Sequence, residues 1–91
     1  MSNQQRIERM RARLEQALSP QDLHIEDESH LHVGHAGARD GRGHFRLSIV
    51  SAAFNGQRGM QRHRLVYGAL GDMMQTDIHA LSIEAISEEE L

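Results

Sequence analysis

Residues 54–85, FNGQRGMQRHRLVYGALGDMMQTDIHALSIEA, tie a basic glycine turn to an amphipathic helix and that helix to a strand headed by a histidine. Asn55-Gly56 marks a break in the chain. Beyond it Met60, His63, Val66, Tyr67, Leu70, Met73 and Met74 recur at the spacing of one helical face, which predicts a single long helix with an apolar side. Ile78, Ala80, Ser82 and Glu84 then alternate with His79, Leu81, Ile83 and Ala85, so the two sets lie on opposite faces of a strand.

Working outward, Ala52 to Phe54 reads as a short helical turn, which together with the long helix makes a helix-turn-helix by spacing. Before it, HFRLSIVS at 44–51 places Phe45, Leu47 and Ile49 on one face of a strand, and Leu23 and Ile25 alternate with His24 and Glu26 in another. A loop from Ser29 to about Gly43, carrying Gly34, Gly37 and Gly41, joins these two strands as a long-looped hairpin. At the N-terminus Ile7, Met10, Leu14, Ala17 and Leu18 form the covered face of a helix over about 3–18, with Ser2 or Asn3 to cap it and Pro20 just past its end. The order is α-β-β-α-α-β. A strand reached through a helical crossover pairs parallel to an earlier one, so the expected class is α/β (α+β), with a mixed three-stranded sheet covered by helices.

A length of 91 residues fits one domain over 1–91 with one core, and leaves little room for a deep substrate pocket. The hydrophobic share of 38% and charged share of 25% still favour a folded chain over a disordered one. Absence of cysteine excludes disulfides, a thiol nucleophile and any thiolate ligand from this chain. No apolar run approaches the roughly 20 residues of a membrane span. The arginine-rich N-terminus lacks the apolar centre of a secretory signal and, with Glu8 and Glu15, suits a first helix better than a transit peptide, so the cytosol is the expected compartment. Net charge is −3 and every basic residue is arginine, which withholds the domain-wide basic footprint of a nucleic-acid binder.

Seven histidines make imidazole the distinctive chemistry of the chain. His30, His32 and His35 crowd the loop, and His79 heads the last strand. His44 and His63 read as structural, and His24 and His30 receive no role. His32-x-x-His35 by itself offers only two imidazoles, an incomplete metal site.

Phe54-x-Gly56, Arg62-His63-Arg64-Leu65-Val66-Tyr67 and Ile78-His79-Ala80-Leu81-Ser82-Ile83 resemble the BolA family pattern in order and spacing. Asp27-Glu28-Ser29, His32-x-x-His35-Ala36-Gly37 and His44-Phe45 extend the resemblance over nearly the whole chain. What it implies is a KH-like (class II) α/β domain that partners a monothiol glutaredoxin as a heterodimer and shares a 2Fe-2S cluster with it and with glutathione. The isolated chain would carry no cluster, and would be a monomer or weak homodimer. The family's C-terminal histidine falls on His79. Its loop ligand, histidine in one subgroup, falls on His35 or His32. Imidazole suits such a site, since it replaces thiolate on an iron–sulfur cluster and raises its potential.

In some bacteria the family is also linked to DNA binding, transcription regulation and stress response. Here Gly56-Gln57-Arg58-Gly59 has the GxxG form with which KH domains clamp a sugar-phosphate backbone, and Arg58, Arg62 and Arg64 would add phosphate or partner contacts. No serine, cysteine or paired-carboxylate constellation accompanies a histidine, so an enzyme is not expected.

Overall fold

The computed structural model describes residues 2–29 and 41–91. Helix α1 (Asn3–Leu18) begins in a capping box, where Ser2 accepts from the backbone of Gln5 and the Gln5 side chain returns to the Ser2 backbone. It ends at Ser19, whose φ of 43° carries the chain out of the helix just before Pro20. Strands β1 (Asp22–Asp27) and β2 (Gly43–Ser51) are antiparallel, and β3 (Ile78–Ser87) joins the free side of β2 in parallel. Between β2 and β3 lie a tight helical turn (Ala52–Phe54), α2 (Gly59–Leu70) and a short α3 (Met73–Thr76). The element order and the mixed three-stranded sheet are those expected from the sequence.

Register explains the core. Leu23, Ile49 and Ala85 form one cross-strand row, and Ile25, Leu47 and Ile83 the next. These rows face Met10, Leu14 and Leu18 of α1, Val66 and Leu70 of α2, and Met73 of α3, all buried with Phe54 in a single cluster. Phe45, Leu47 and Ile49 are almost wholly removed from water, so β2 supplies the centre of the core, where each such side chain contributes about 1.5–3 kcal/mol on burial. Among the described residues, the helices cover this one face. The other presents His24, Glu26, Arg46, Ser82 and Glu84 to solvent.

Two expectations need correction. The helix predicted to run from Met60 to Met74 is broken at Gly71, where a φ of 57° turns the chain while its N–H still bonds the Tyr67 carbonyl. Met60 and Tyr67 also stand outside the apolar stripe, at 69% and 40% exposure. With Val66 and Leu70 directed to the core, a rotation of about 100° per residue carries Met60 and Tyr67 onto the shoulder of α2.

Candidate functional site

His79 owes its position to a bulge. Ile78 pairs with Gly43 and Ala80 with the next residue, His44, so β3 carries one extra residue between them. Strict alternation would put His79 on the covered face with Leu81. Instead Ile78 is buried, both His79 and Ala80 are exposed, and Leu81 points inward again. The clue in the sequence is the three-residue step from Ile78 to Leu81, which interrupts the two-residue period of Leu81, Ile83 and Ala85.

The surroundings of the bulge are fixed. A Cβ on Gly43 would lie 2.4 Å from the ring of Phe45, which fills that space as the last large side chain of the core row. The Gly43 N–H donates to the Asp77 carbonyl at 3.0 Å. The buried Asp77 carboxylate receives Arg6 Nε at 3.3 Å, Arg9 Nη1 at 3.1 Å and the Thr76 hydroxyl at 2.5 Å. Burial opposes the charge on Asp77, but the Thr76 hydrogen bond and the two guanidinium groups outweigh it and hold its carboxyl below the usual range. This clamp joins α1 to the residue two before His79.

Around the exposed imidazole stand two neighbours that local sequence patterns do not mark as ligands. The ring of His44, 6% exposed, lies 5.0 Å from that of His79 at a tilt of 45°. Arg42 Nη2 lies 3.1 Å from His79 Nδ1, and its Nη1 donates to the Gln75 carbonyl at 3.2 Å. The loop histidines His30, His32 and His35 lie outside the described residues, but the residues flanking them are anchored at this corner. Ser29 accepts the His44 N–H at 3.0 Å and the Asn3 side-chain amide at 3.1 Å, and the Gly41 carbonyl accepts Arg6 Nη1 at 2.8 Å.

Among the described residues no group of three or more His, Cys, Asp or Glu is placed to enclose a metal ion. What the described part of the corner offers is one surface imidazole, His79, beside the buried ring of His44. A complete site would need further ligands from elsewhere.

At the opposite side of the fold, the Gly56-Gln57-Arg58-Gly59 turn links the Ala52–Phe54 turn to α2. Gly56 has a φ of 74°, and a Cβ on Gly56 or Gly59 would meet nothing within 4 Å, so this backbone is open to approach. Arg58 and Arg64 are exposed. Arg62 is differently employed: its side chain is 16% exposed, and it donates to the carbonyls of Gln57 at 2.8 Å and Ala85 at 3.0 Å and pairs with Glu90. His63 meets Tyr67 edge to face, with ring centroids 6.4 Å apart. A shallow groove of about 450 Å³ between α1 and α2, lined by Arg13, Gln16, Ala17, Gly68 and Ala69, contains none of the nominated residues. No helix among the described residues is long and apolar enough to cross a membrane.

Residues 14–90 match the family model described as BolA-like protein. The BolA domain of SufE1 from Arabidopsis thaliana superposes with a TM-score of 0.82 at 43% identity, over 94% of this chain and 95% of that one. In sequence, the chain is 48% identical over 82 residues to the SufE-like protein 1, chloroplastic/mitochondrial, of the same plant, covering 85% of this chain and 22% of that protein. It is 47% identical over 81 residues to the plant's chloroplastic protein BOLA1, covering 86% of this chain and 51% of that one. Thus the chain spans about half, or less, of the length of these relatives. It is also 39% identical over 90 residues to the DNA-binding transcriptional regulator BolA of Haemophilus influenzae, covering 99% of this chain and 82% of the regulator.

Proposed function

The chain belongs to the BolA-like family, and from that premise we propose that it is a non-catalytic adaptor that docks a monothiol glutaredoxin and helps to hold a 2Fe-2S cluster as shared cargo. His79 is the ligand from the ordered corner, and His35 or His32 the ligand from the loop. The remaining ligands are the partner's cysteine and glutathione, since this chain has no thiol. The observation that carries this reading is the bulge, which takes a histidine out of the covered alternation and presents it beside the anchored flanks of a histidine-rich segment. With imidazole on one side, the cluster would supply one-electron chemistry at a potential above that of an all-cysteine site. Trafficking of the cluster, or iron and redox regulation, follows as the role, in the cytosol.

The test is to mix the purified chain anaerobically with 2Fe-2S-loaded monothiol glutaredoxin and record visible absorption and circular dichroism for wild type, His79→Ala, His35→Ala and His32→Ala. A new spectrum from a one-to-one complex is expected, lost in His79→Ala and in one of the two loop variants. A cluster spectrum left unchanged by the wild-type chain would rule the mechanism out.

A second reading, DNA binding, draws on the open Gly56 to Gly59 backbone with exposed Arg58 and Arg64, and on the name of the Haemophilus relative. Backbone clamping at the GxxG turn would be strongly salt-dependent. Binding of duplex or single-stranded DNA that weakens in Arg58→Ala and Arg64→Ala, but not in His79→Ala, is its signature.

A further inference from the structure

We infer that Arg42 is a positioning residue that restrains His79 as a lone-pair donor, so that ligation by His79 requires the guanidinium to move away. The inference deepens the proposed function and rests on its assignment of His79 as a ligand.

The chemistry begins with the guanidinium, which has N–H groups to donate and no acceptor. At 3.1 Å from Arg42 Nη2, His79 Nδ1 therefore accepts, and its lone pair is engaged. An imidazole that accepts at Nδ1 carries its proton on Nε2. In this arrangement neither ring nitrogen has a lone pair to offer. Coordination through Nδ1 needs the place held by Arg42. Coordination of neutral imidazole through Nε2 needs the proton moved to Nδ1, where an Arg42 N–H already points. Both routes begin by breaking the same hydrogen bond.

Arg42 is well placed to keep it. Its second arm is held by the Gln75 carbonyl, at the last turn before the bulge. It is also next to Gly43, whose pairing with Ile78 defines the bulge.

Two measurements test this on the intact chain. The first needs no glutaredoxin: the lone pair of an unprotonated imidazole nitrogen attacks diethyl pyrocarbonate and becomes carbethoxylated, and peptide mass spectrometry follows each histidine separately. His79 is expected to react slowly in the wild type and several-fold faster in Arg42→Ala and Arg42→Met, while the exposed His24 reacts at one rate in all three. Long-range proton–nitrogen spectra should place the His79 proton on Nε2 in the wild type. Equal His79 rates in all three chains, or a wild-type proton on Nδ1, would overturn the inference.

The second is the cluster titration with loaded glutaredoxin, in which Arg42→Met should tighten complex formation roughly tenfold, the worth of one hydrogen bond from a charged group. Weaker binding by both Arg42 variants would overturn the restraint and make Arg42 a contact of the complex. If the reagent rates rise as expected while no variant affects the cluster spectrum, the restraint stands and the shared-cluster function falls.

Discussion

The two ends of β3 are built to different ends. At its finish, Arg62 bonds the Ala85 carbonyl and Glu90, Glu90 accepts the Ser87 N–H at 2.9 Å, and the strand is stitched to α2 and to the last turn by groups occupied with one another. At its start the stitching is done one layer back, by Asp77 with Arg6 and Arg9, and the residue in front, His79, stands at the surface with its Nδ1 against Arg42 Nη2. One end uses its polar groups for cohesion. The other uses a rigid backing to hold an imidazole at the surface, the separation of support from site that the proposed ligand role calls for.

Four changes probe that contrast. Asp77→Ala strikes the backing itself: it leaves Arg6, 13% exposed, without its buried counter-charge and should cost about 3 kcal/mol in urea unfolding. Gly43→Ala forces a methyl group into the Phe45 ring and should cost about 2 kcal/mol by the same measurement, with a shift in the Ala80 and His44 amide signals as the bulge gives way. If Gly43→Ala proves neutral, the bulge is softer than its packing implies.

At the stitched end, Arg62→Met removes the donor to Ala85 and Gln57 and should cost about 1.5 kcal/mol, while leaving His79 reactivity unaltered. The smallest effect is one of pH. The Ser87 hydroxyl and N–H, with the Arg62 guanidinium, lower the Glu90 carboxyl from an ordinary 4.5 to about 2. A depressed carboxyl stabilises the fold above the unfolded value and loses that contribution as pH falls from about 4.5 towards about 2. Glu90→Gln should flatten that part of a stability-against-pH curve, and an unchanged slope would mean that the pair is too solvated to count, as its exposure allows.

The elements themselves were legible in the sequence, because period and punctuation coincided: Ile7 to Leu18 with Ser2 and Pro20 defined α1, and the apolar alternation in 44–51 defined the central strand. The exception was α2, where apolar Met60 and Tyr67 mimicked core positions and the left-handed turn at Gly71 was read through. The site was legible in composition and not in geometry. His79 stood out as a strand histidine, but its exposure depends on a bulge created by pairing with Gly43, and Arg42 and His44 reach it only through strand register. The assignment of Arg62 as a contact residue does not anticipate its bond to the Ala85 carbonyl, which lies on a strand far along the chain. Such information belongs to tertiary structure, and local patterns do not contain it.

The bulge also bears on the order of folding. The hairpin of β1 and β2 is antiparallel and comparatively local, whereas β3 docks only after the whole helical crossover has been laid down, and non-local parallel pairing is the slow kind. Arg6, Gly43 and Asp77 meet at the seam formed in that last step. A chain without that seam has all seven histidines but lacks the Gly43, Asp77 and His79 side of the corner, so the complete corner is a certificate of completed folding.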